Sequence, residues 1–336
     1  MSKLNKPTTI KEIARKLKIS PSTVSRALND HPSIGLVTTM RVKKMAEELN
    51  YEPNQTAIFF KQRKTYTIGV VLPNLSEPFF SAAISAIEDL ADQHHYTVIL
   101  GQSLDNPERQ MKIVQTFKKH RVDGVLMSLA KNSRDLGFMD ILASAEIPVV
   151  FFDVVPDVEG VHKVQSDLVA GVHEAVDAFV SRGHREIAMI NGPENLLAST
   201  VRTQAFKEAL EKNGITFEDK YVVHSDLTEE GNRAALDQIC AFPERPSAVL
   251  SCSDFITLDV MKFARQKGIG IGQEMHFISF ANYPLWKYIE NPPLGNIEQY
   301  PDEQGRKAAE ILFEILQSKE PITPQEVTIP TKLVLK

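Results

Sequence analysis

Cysteine is nearly absent from the 336 residues: Cys240 and Cys252 are the whole complement. Two thiols cannot build a disulfide framework, and they lack the Cys/His spacing of a zinc site. Long apolar runs are missing too. The longest, such as residues 68–72, are strand-sized, against the ~18 residues a membrane span needs. Lys3, Lys6 and Lys11 are followed by no apolar block, so no secretory leader is expected and the chain reads as cytoplasmic, with no membrane partner. Catalytic signatures are absent as well: no Gly-x-Ser-x-Gly elbow, no phosphate-binding glycine loop and no His-Glu-x-x-His. Gly268-Ile269-Gly270-Ile271-Gly272 is glycine-rich, but it follows a helical pattern instead of opening one. His94, His95 and His184 have no ligand partners at metal spacing. No enzyme activity, cofactor or metal is expected.

What is present is the balance of a globular protein, 43% hydrophobic and 24% charged, at a length that fits two or three domains. The formal charge of −5 hides two unlike parts. Residues 1–64 hold 13 Lys and Arg against 5 Asp and Glu, so the remainder is strongly acidic. A basic head on an acidic body suggests a polyanion-binding module joined to a second function, the alternative being a merely soluble basic terminus.

The head reads as three short helices. Thr9 and Glu12 have the spacing of a capping box, and Ile10, Ile13, Ala14 and Leu17 recur at helical period. Ser20 as cap with Pro21 at the first helical position starts a second helix, in which Val24 and Leu28 face inward and Ser22, Thr23, Ser25, Arg26 and Asn29 do not. A third helix is expected over residues 38–49, with Val42, Met45, Ala46 and Leu49 inside. A tight turn between the first two makes a helix-turn-helix, whose second helix here has the hydroxyls and the arginine to read base edges; a small helical bundle with a solvated face is the alternative. Beyond it, Ile58-Phe59-Phe60 lies between basic residues where a linker should be polar. A partner chain, a DNA minor groove or the following domain would have to cover it.

From Tyr66 onward short β-rich runs alternate with amphipathic helices. Strands are expected over 67–72, 97–100, 124–127 and 148–152, with helices near 79–94, 108–119 and 136–144. The pattern restarts after Val164 with helices over 169–180 and 201–212 and strands over 187–190 and 221–223. Such alternation implies an α/β body of parallel sheets, with ligands in the crevice outside the strand ends.

Together these segments resemble the lactose/purine-repressor family of bacterial transcription factors, over essentially the whole chain. The resemblance rests on residues 9–14 (Thr-Ile-Lys-Glu-Ile-Ala), on Thr23-Val24-Ser25-Arg26, and on Leu49-Asn50-Tyr51-Glu52-Pro53-Asn54. Ile68-Gly69-Val70, Pro78-Phe79-Phe80, Arg121-Val122-Asp123-Gly124 and residues 183–188 (Gly-His-Arg-Glu-Ile-Ala) extend it. It implies a helix-turn-helix DNA-binding domain over 1–53, a hinge helix and linker over 54–65, and a two-lobed periplasmic-binding-protein-like body over 66–336. Lobe one is expected over about 66–163 plus 296–322, and lobe two over about 164–292 plus 325–336. The implied partners are double-stranded operator DNA, a small-molecule effector and a second copy of the chain in a homodimer.

The resemblance assigns DNA contact to Thr9, Pro21, Ser22, Thr23, Ser25, Arg26 and Asn29 in the head and to Asn54, Ala57 and Phe60 in the hinge, where Phe60 replaces the usual leucine wedge. Thr38-Thr39 stands where a Thr-Arg pair is usual, so a phosphate contact is lost, with Lys43 and Lys44 as candidates to replace it. In the cleft it assigns effector contact to Phe79, Phe80, Ser166, Arg202, Ser253 and Ala281, with one of the two phenylalanines expected in the core and Asp254 expected to cap a helix. Ala281 replaces an aspartate usual in sugar-binding relatives, which together with Arg202 tilts the expectation toward a sugar acid or phosphosugar. Residues 327–335 form no heptad repeat, so a dimer is expected and not a tetramer.

Overall fold

The computed structural model describes residues 8–51, 64–131, 133 and 135–336. Two compact units divide the chain, residues 1–65 and 66–336. The hinge residues Asn54, Ala57 and Phe60 lie outside the described residues.

The head contains α1 (Ile10–Leu17), α2 (Pro21–Leu28) and α3 (Leu36–Glu48). Its core is small: Ile13, Ala14, Val24, Ala27, Val42 and Ala46. Ser20 starts α2 as its spacing predicts, because its Oγ accepts from the Thr23 N–H at 3.1 Å and Pro21 has no N–H to leave unpaired. The capping box of α1 does not form. Thr9 makes no side-chain cap bond, and its carbonyl takes the Glu12 N–H at 2.9 Å instead. Helix α3 begins two residues earlier than expected, after Gly35, which leaves Leu36, Val37 and Met40 on the surface while Thr39 is buried.

In the body, one six-stranded sheet has the order β11-β5-β4-β3-β1-β2 and a second the order β12-β10-β9-β8-β6-β7. The strands of the first are β1 (Thr67–Leu72), β2 (Thr97–Gln102), β3 (Gly124–Met127), β4 (Val149–Phe152), β5 (His162–Ser166) and β11 (Glu326–Ile329). Those of the second are β6 (Ile187–Asn191), β7 (Val222–His224), β8 (Ala248–Ser251), β9 (His276–Phe280), β10 (Gly295–Glu298) and β12 (Lys332–Leu335). All pairings are parallel except β10 with β12. Central strands such as β3 and β6 are buried at every residue, as parallel strands covered on both faces must be.

Helices α4 (Pro78–Gln93), α5 (Pro107–His120), α6 (Phe138–Ala143) and α11 (Pro301–Gln317) cover the first sheet; α7 (Leu168–Ser181), α8 (Leu197–Lys212), α9 (Glu229–Cys240) and α10 (Asp254–Gln266) cover the second. Helices α4 and α11 pack so closely that a Cβ on Gly305 would lie 2.4 Å from the Ala83 carbonyl oxygen.

The chain crosses between lobes three times: after Ser166, after Glu298 and between Ile329 and Lys332. These points differ from the lobe limits expected near 164, 296 and 325. Strand β5 stays in the first sheet because it completes its register with β4 and accepts β11 on its other side, while β10 pairs with β9 in the second. The crossings are knotted by hydrogen bonds. Gln304 Nε2 donates to Ser166 Oγ at 2.8 Å, Gln299 Nε2 donates to the same oxygen at 3.2 Å, and Thr331 Oγ1 donates to the Asp167 carbonyl at 2.9 Å.

Candidate nucleic-acid interface and ligand cleft

On the head, Val24 and Ala27 hold α2 against the core, which turns Pro21, Ser22, Arg26 and Asn29 out to solvent and leaves Thr23 and Ser25 half-buried. Ser20 Oγ lies 2.7 Å from Ser22 Oγ and 2.8 Å from Thr23 Oγ1, so the hydroxyls at the helix start are ordered as a cluster. Asn29 donates back to the Ser25 carbonyl at 2.7 Å. Arg26 is exposed, and its guanidinium has no hydrogen bond or ion pair to the described residues. Thr9, Lys11, Arg15, Lys16 and Lys18 are exposed on and beside α1. Lys43 is engaged inside the head, 2.7 Å from Asp30, which reduces its fitness as the replacement phosphate contact; Lys44 is exposed.

In the body, the carboxyl ends of the two sheets bring charged side chains together from distant parts of the chain. On lobe one, Asp153 directly follows β4 and its Oδ2 accepts from Ser128 Oγ at 3.0 Å. Lys131 follows β3 and lies 3.2 Å from Asp105 and 3.9 Å from Glu77, the residue before α4. On lobe two, the Arg202 guanidinium rises from α8 over the Phe280 ring at 4.7 Å. Its Nε is buried without a partner. A buried N–H left unpaired is costly, so a group that accepts from it is strongly favoured there.

The two walls act on each other. Burial pushes the Asp153 carboxyl up to about 6, opposed by the Ser128 hydrogen bond and by the positive charges of Lys131 and Arg202. Burial raises Glu77 as well, with Lys131 opposing and Asp153 and Asp105 adding to the shift. Burial disfavours the charge on Lys131, yet Glu77 and Asp105 hold it above the usual lysine range. Burial lowers Arg202, against the Cys252 thiol and Asp153. From lobe two the Tyr283 phenol is pushed up by burial and then by Glu77, Asp254 and Asp153. Carboxylates of lobe one therefore face an arginine and a phenol of lobe two.

The other expected effector residues do different work. Phe79 and Phe80 are 7% and 3% exposed, meet edge-to-face at 5.3 Å, and Phe80 continues onto Phe152. Both are largely core, where one was expected. Ser166 is taken by Gln299 and Gln304 at the lobe crossings. Ser253 caps α10, its Oγ accepting from the Phe255 N–H at 3.2 Å, so Asp254 is not the cap. Asp254 is instead a buried hub that accepts from Ser279 Oγ, from Asn296 Nδ2 at 2.8 Å and from the Tyr283 N–H at 2.8 Å. It thereby fixes the loop after β9, in which Ala281 takes a positive φ of 76°. Glu77, Lys131, Asp153 and Tyr283 escaped sequence reasoning. The one available signal was position, since Asp153 immediately follows a strand, where open α/β sheets place ligands.

Residues 9–54 match the model of the bacterial regulatory proteins, lacI family, and residues 176–336 match the periplasmic binding protein-like domain. The HTH-type transcriptional repressor PurR of Vibrio cholerae serotype O1 is 31% identical over 313 residues, covering 93% of this chain and 92% of that protein. The lac repressor dimer, solved bound to operator and an anti-inducer, superposes with a TM-score of 0.83 at 23% identity, over 98% of each chain. The transcriptional regulator CelR in complex with cellobiose superposes with a TM-score of 0.74 at 24% identity, over 98% of each chain. Among the described residues no helix is long and apolar enough to cross a membrane.

Proposed function

The chain belongs to the lacI family of bacterial regulatory proteins, DNA-binding transcriptional regulators that act as dimers under a small-molecule effector, and from that premise we propose which residues do each part. The head, residues 1–53, reads operator DNA through Thr9, Pro21, Ser22, Thr23, Ser25, Arg26 and Asn29. Residues 54–65 form the hinge, with Asn54, Ala57 and Phe60 in the minor groove. The body, residues 66–336, binds the effector and dimerises. The protein works in the cytoplasm and catalyses no reaction.

The effector is a carbohydrate: a sugar, a sugar acid or a phosphosugar. The observation that supports this is the Arg202 guanidinium, laid on Phe280 with a buried, unpartnered Nε and opposed across the cleft by Asp153. Such a pair offers donors on one wall and acceptors on the other, the complement of a ring bearing several hydroxyls. CelR, of the same fold, has been solved with cellobiose. Of the expected effector residues, Arg202 has surroundings that support the role, whereas Ser166 is hydrogen-bonded at the lobe crossings and Ser253 caps a helix.

Arg202→Ala is the test. A charge-assisted hydrogen bond in a buried setting is worth about 1.5–3 kcal/mol, so the midpoint of the effector response should rise about tenfold to a hundredfold. The ligand is first found by thermal shift of the purified protein against sugars, sugar acids and phosphosugars, since whatever binds only the folded state raises its melting temperature. Operator binding is then titrated with that ligand for both proteins. An unchanged midpoint removes Arg202 from the cleft's chemistry.

A further inference from the structure

The body is acidic, with 25 Lys and Arg against 38 Asp and Glu over residues 65–336, yet one stretch of it runs the other way. From Arg109 to Val122 there is no acid, while Arg109, Lys112, Lys118, Lys119 and Arg121 are basic and all five are exposed. Among the described residues no ion pair involves Lys112, Lys118 or Lys119. Lys118 Nζ donates to the neutral Ser144 Oγ at 3.2 Å. Lys118, Lys119 and His120 occupy the last turn of α5. A basic group there answers the partial negative charge of the final carbonyls. But α4, α6, α7, α9 and α11 have none in their last turns. Helix stability in this body therefore does not account for the run Lys118-Lys119-His120-Arg121.

The place of this run in the fold gives it a use. Helix α5 runs back from β2 to β3, so its last turn lies at the amino ends of the parallel strands, the end opposite the cleft. The linker from the head enters at the same end. The Tyr66 N–H donates to Asp123 Oδ2 at 2.9 Å, and the Asp123 N–H donates to the Thr67 carbonyl at 2.7 Å, two residues beyond Arg121. Duplex DNA holds one negative charge per about 1.7 Å of its axis, so a body of net negative charge is repelled by what its head must bind. Cations gathered where the head is tethered reverse that repulsion locally, and they meet phosphates without reading sequence. We propose that the last turn of α5, through Lys118 and Lys119, is a further nucleic-acid contact, by which the body itself holds the phosphate backbone of operator DNA. An acidic protein would satisfy the same charges, but the head tethered at this end already brings the polyanion to it.

The test uses the full-length protein and an operator duplex that it selects from a randomised pool. Affinity is followed by fluorescence anisotropy from about 0.05 to 0.3 M KCl, a range over which phosphate contacts show as a salt slope. Lys118→Gln with Lys119→Gln takes four lysines from a dimer. The slope of log affinity against log salt should become shallower by about 2–4, and binding at about 0.1 M salt should weaken about tenfold or more. Lys118→Arg with Lys119→Arg keeps the charges and should keep the parental slope. Arg185→Gln with Lys287→Gln removes the same charge from exposed positions of lobe two and should also leave the slope as it is. A parental slope in the first pair overturns the proposal and turns the patch toward an acidic protein. Equal flattening by the lobe-two pair overturns it as well, because net charge alone would then explain the effect. So does a loss of affinity without any change of slope, which would come from altered folding or dimerisation. Operator binding by the head stands in every case.

Discussion

An exposed arginine without a partner on a helix whose other polar groups are already ordered is set up to meet something outside the molecule. Arg26 is such a residue, and the ordered hydroxyls of Ser20, Ser22 and Thr23 beside it lower the entropy of forming an interface. Its fork of donors matches guanine in the major groove, where a bidentate contact discriminates by about 1–3 kcal/mol. Arg26→Ala should therefore weaken binding to the operator by about fivefold to a hundredfold and scarcely change binding to random DNA. Fluorescence anisotropy on both DNAs at one salt concentration measures this, and equal losses would make Arg26 a phosphate contact. Asp153 is the residue-scale signature of the cleft. Its folded-state pKa, pushed up to about 6 from 3.8, lies above the unfolded value, so its contribution to stability is fully present below pH 3.8 and is lost as pH rises through 6. The loss is at most about 3 kcal/mol, at 1.36 kcal/mol per pKa unit. Asp153→Asn cannot titrate. Chemical denaturation of the effector-free protein should show the variant gaining stability relative to the parent between pH 4 and pH 7. A difference that is flat with pH would show that Asp153 is solvated.

Elements were legible wherever their signal is local. Residues 67–72 and 124–127 are strands over the stretch their apolar runs predict, and Ser20 with Pro21 marks the start of α2 to the residue. Where an end depends on backbone, the pattern misleads: α3 begins after Gly35, which has no side chain to announce a cap. The crossings between lobes were misplaced because register, and not composition, decides which sheet β5 and β10 join. Of the charged cleft only Arg202 was named in advance, through the resemblance; residues 77, 131, 153 and 283 join it only after both sheets have formed. Strand β2 carries an element-scale consequence. It is the outer strand of its sheet, and Ile99 and Leu100 on it are 39% and 38% exposed, with Leu75 and Leu104 exposed nearby. A bare apolar edge invites pairing with another chain unless something covers it. In a twofold dimer each patch is used twice. Leu100→Glu should then remove the apolar burial of two partly exposed leucines, about 1–2 kcal/mol together, and set two charges in the seam, raising the dimer dissociation constant about tenfold or more. Sedimentation across a concentration series reads this, and an unchanged dimer would place the interface elsewhere on the body.

At the scale of the whole molecule, the head and the cleft are joined by thermodynamics whatever path carries the signal. An effector alters operator binding only if it binds the DNA-competent and incompetent states with different affinity. Linkage makes that coupling reciprocal: if effector changes operator affinity by some factor, operator changes effector affinity by the same factor. The built-in candidate for the two-state element is the knot of crossings, where Ser166, Gln299, Gln304 and Thr331 tie three passes of the chain together and Gln304 Oε1 is left buried without a partner. Gln304→Leu has nearly the volume of the original but cannot donate to Ser166, so it loosens the crossing while leaving the cleft's own side chains in place. The coupling factor, measured as the ratio of effector dissociation constants with and without saturating operator, should fall from a typical allosteric value of about 5–150 toward one in the variant. Calorimetry with effector against free protein and against the protein–operator complex supplies both constants. A coupling factor equal to that of the parent would mean that the crossings are static struts and that the lobes transmit the signal through another contact.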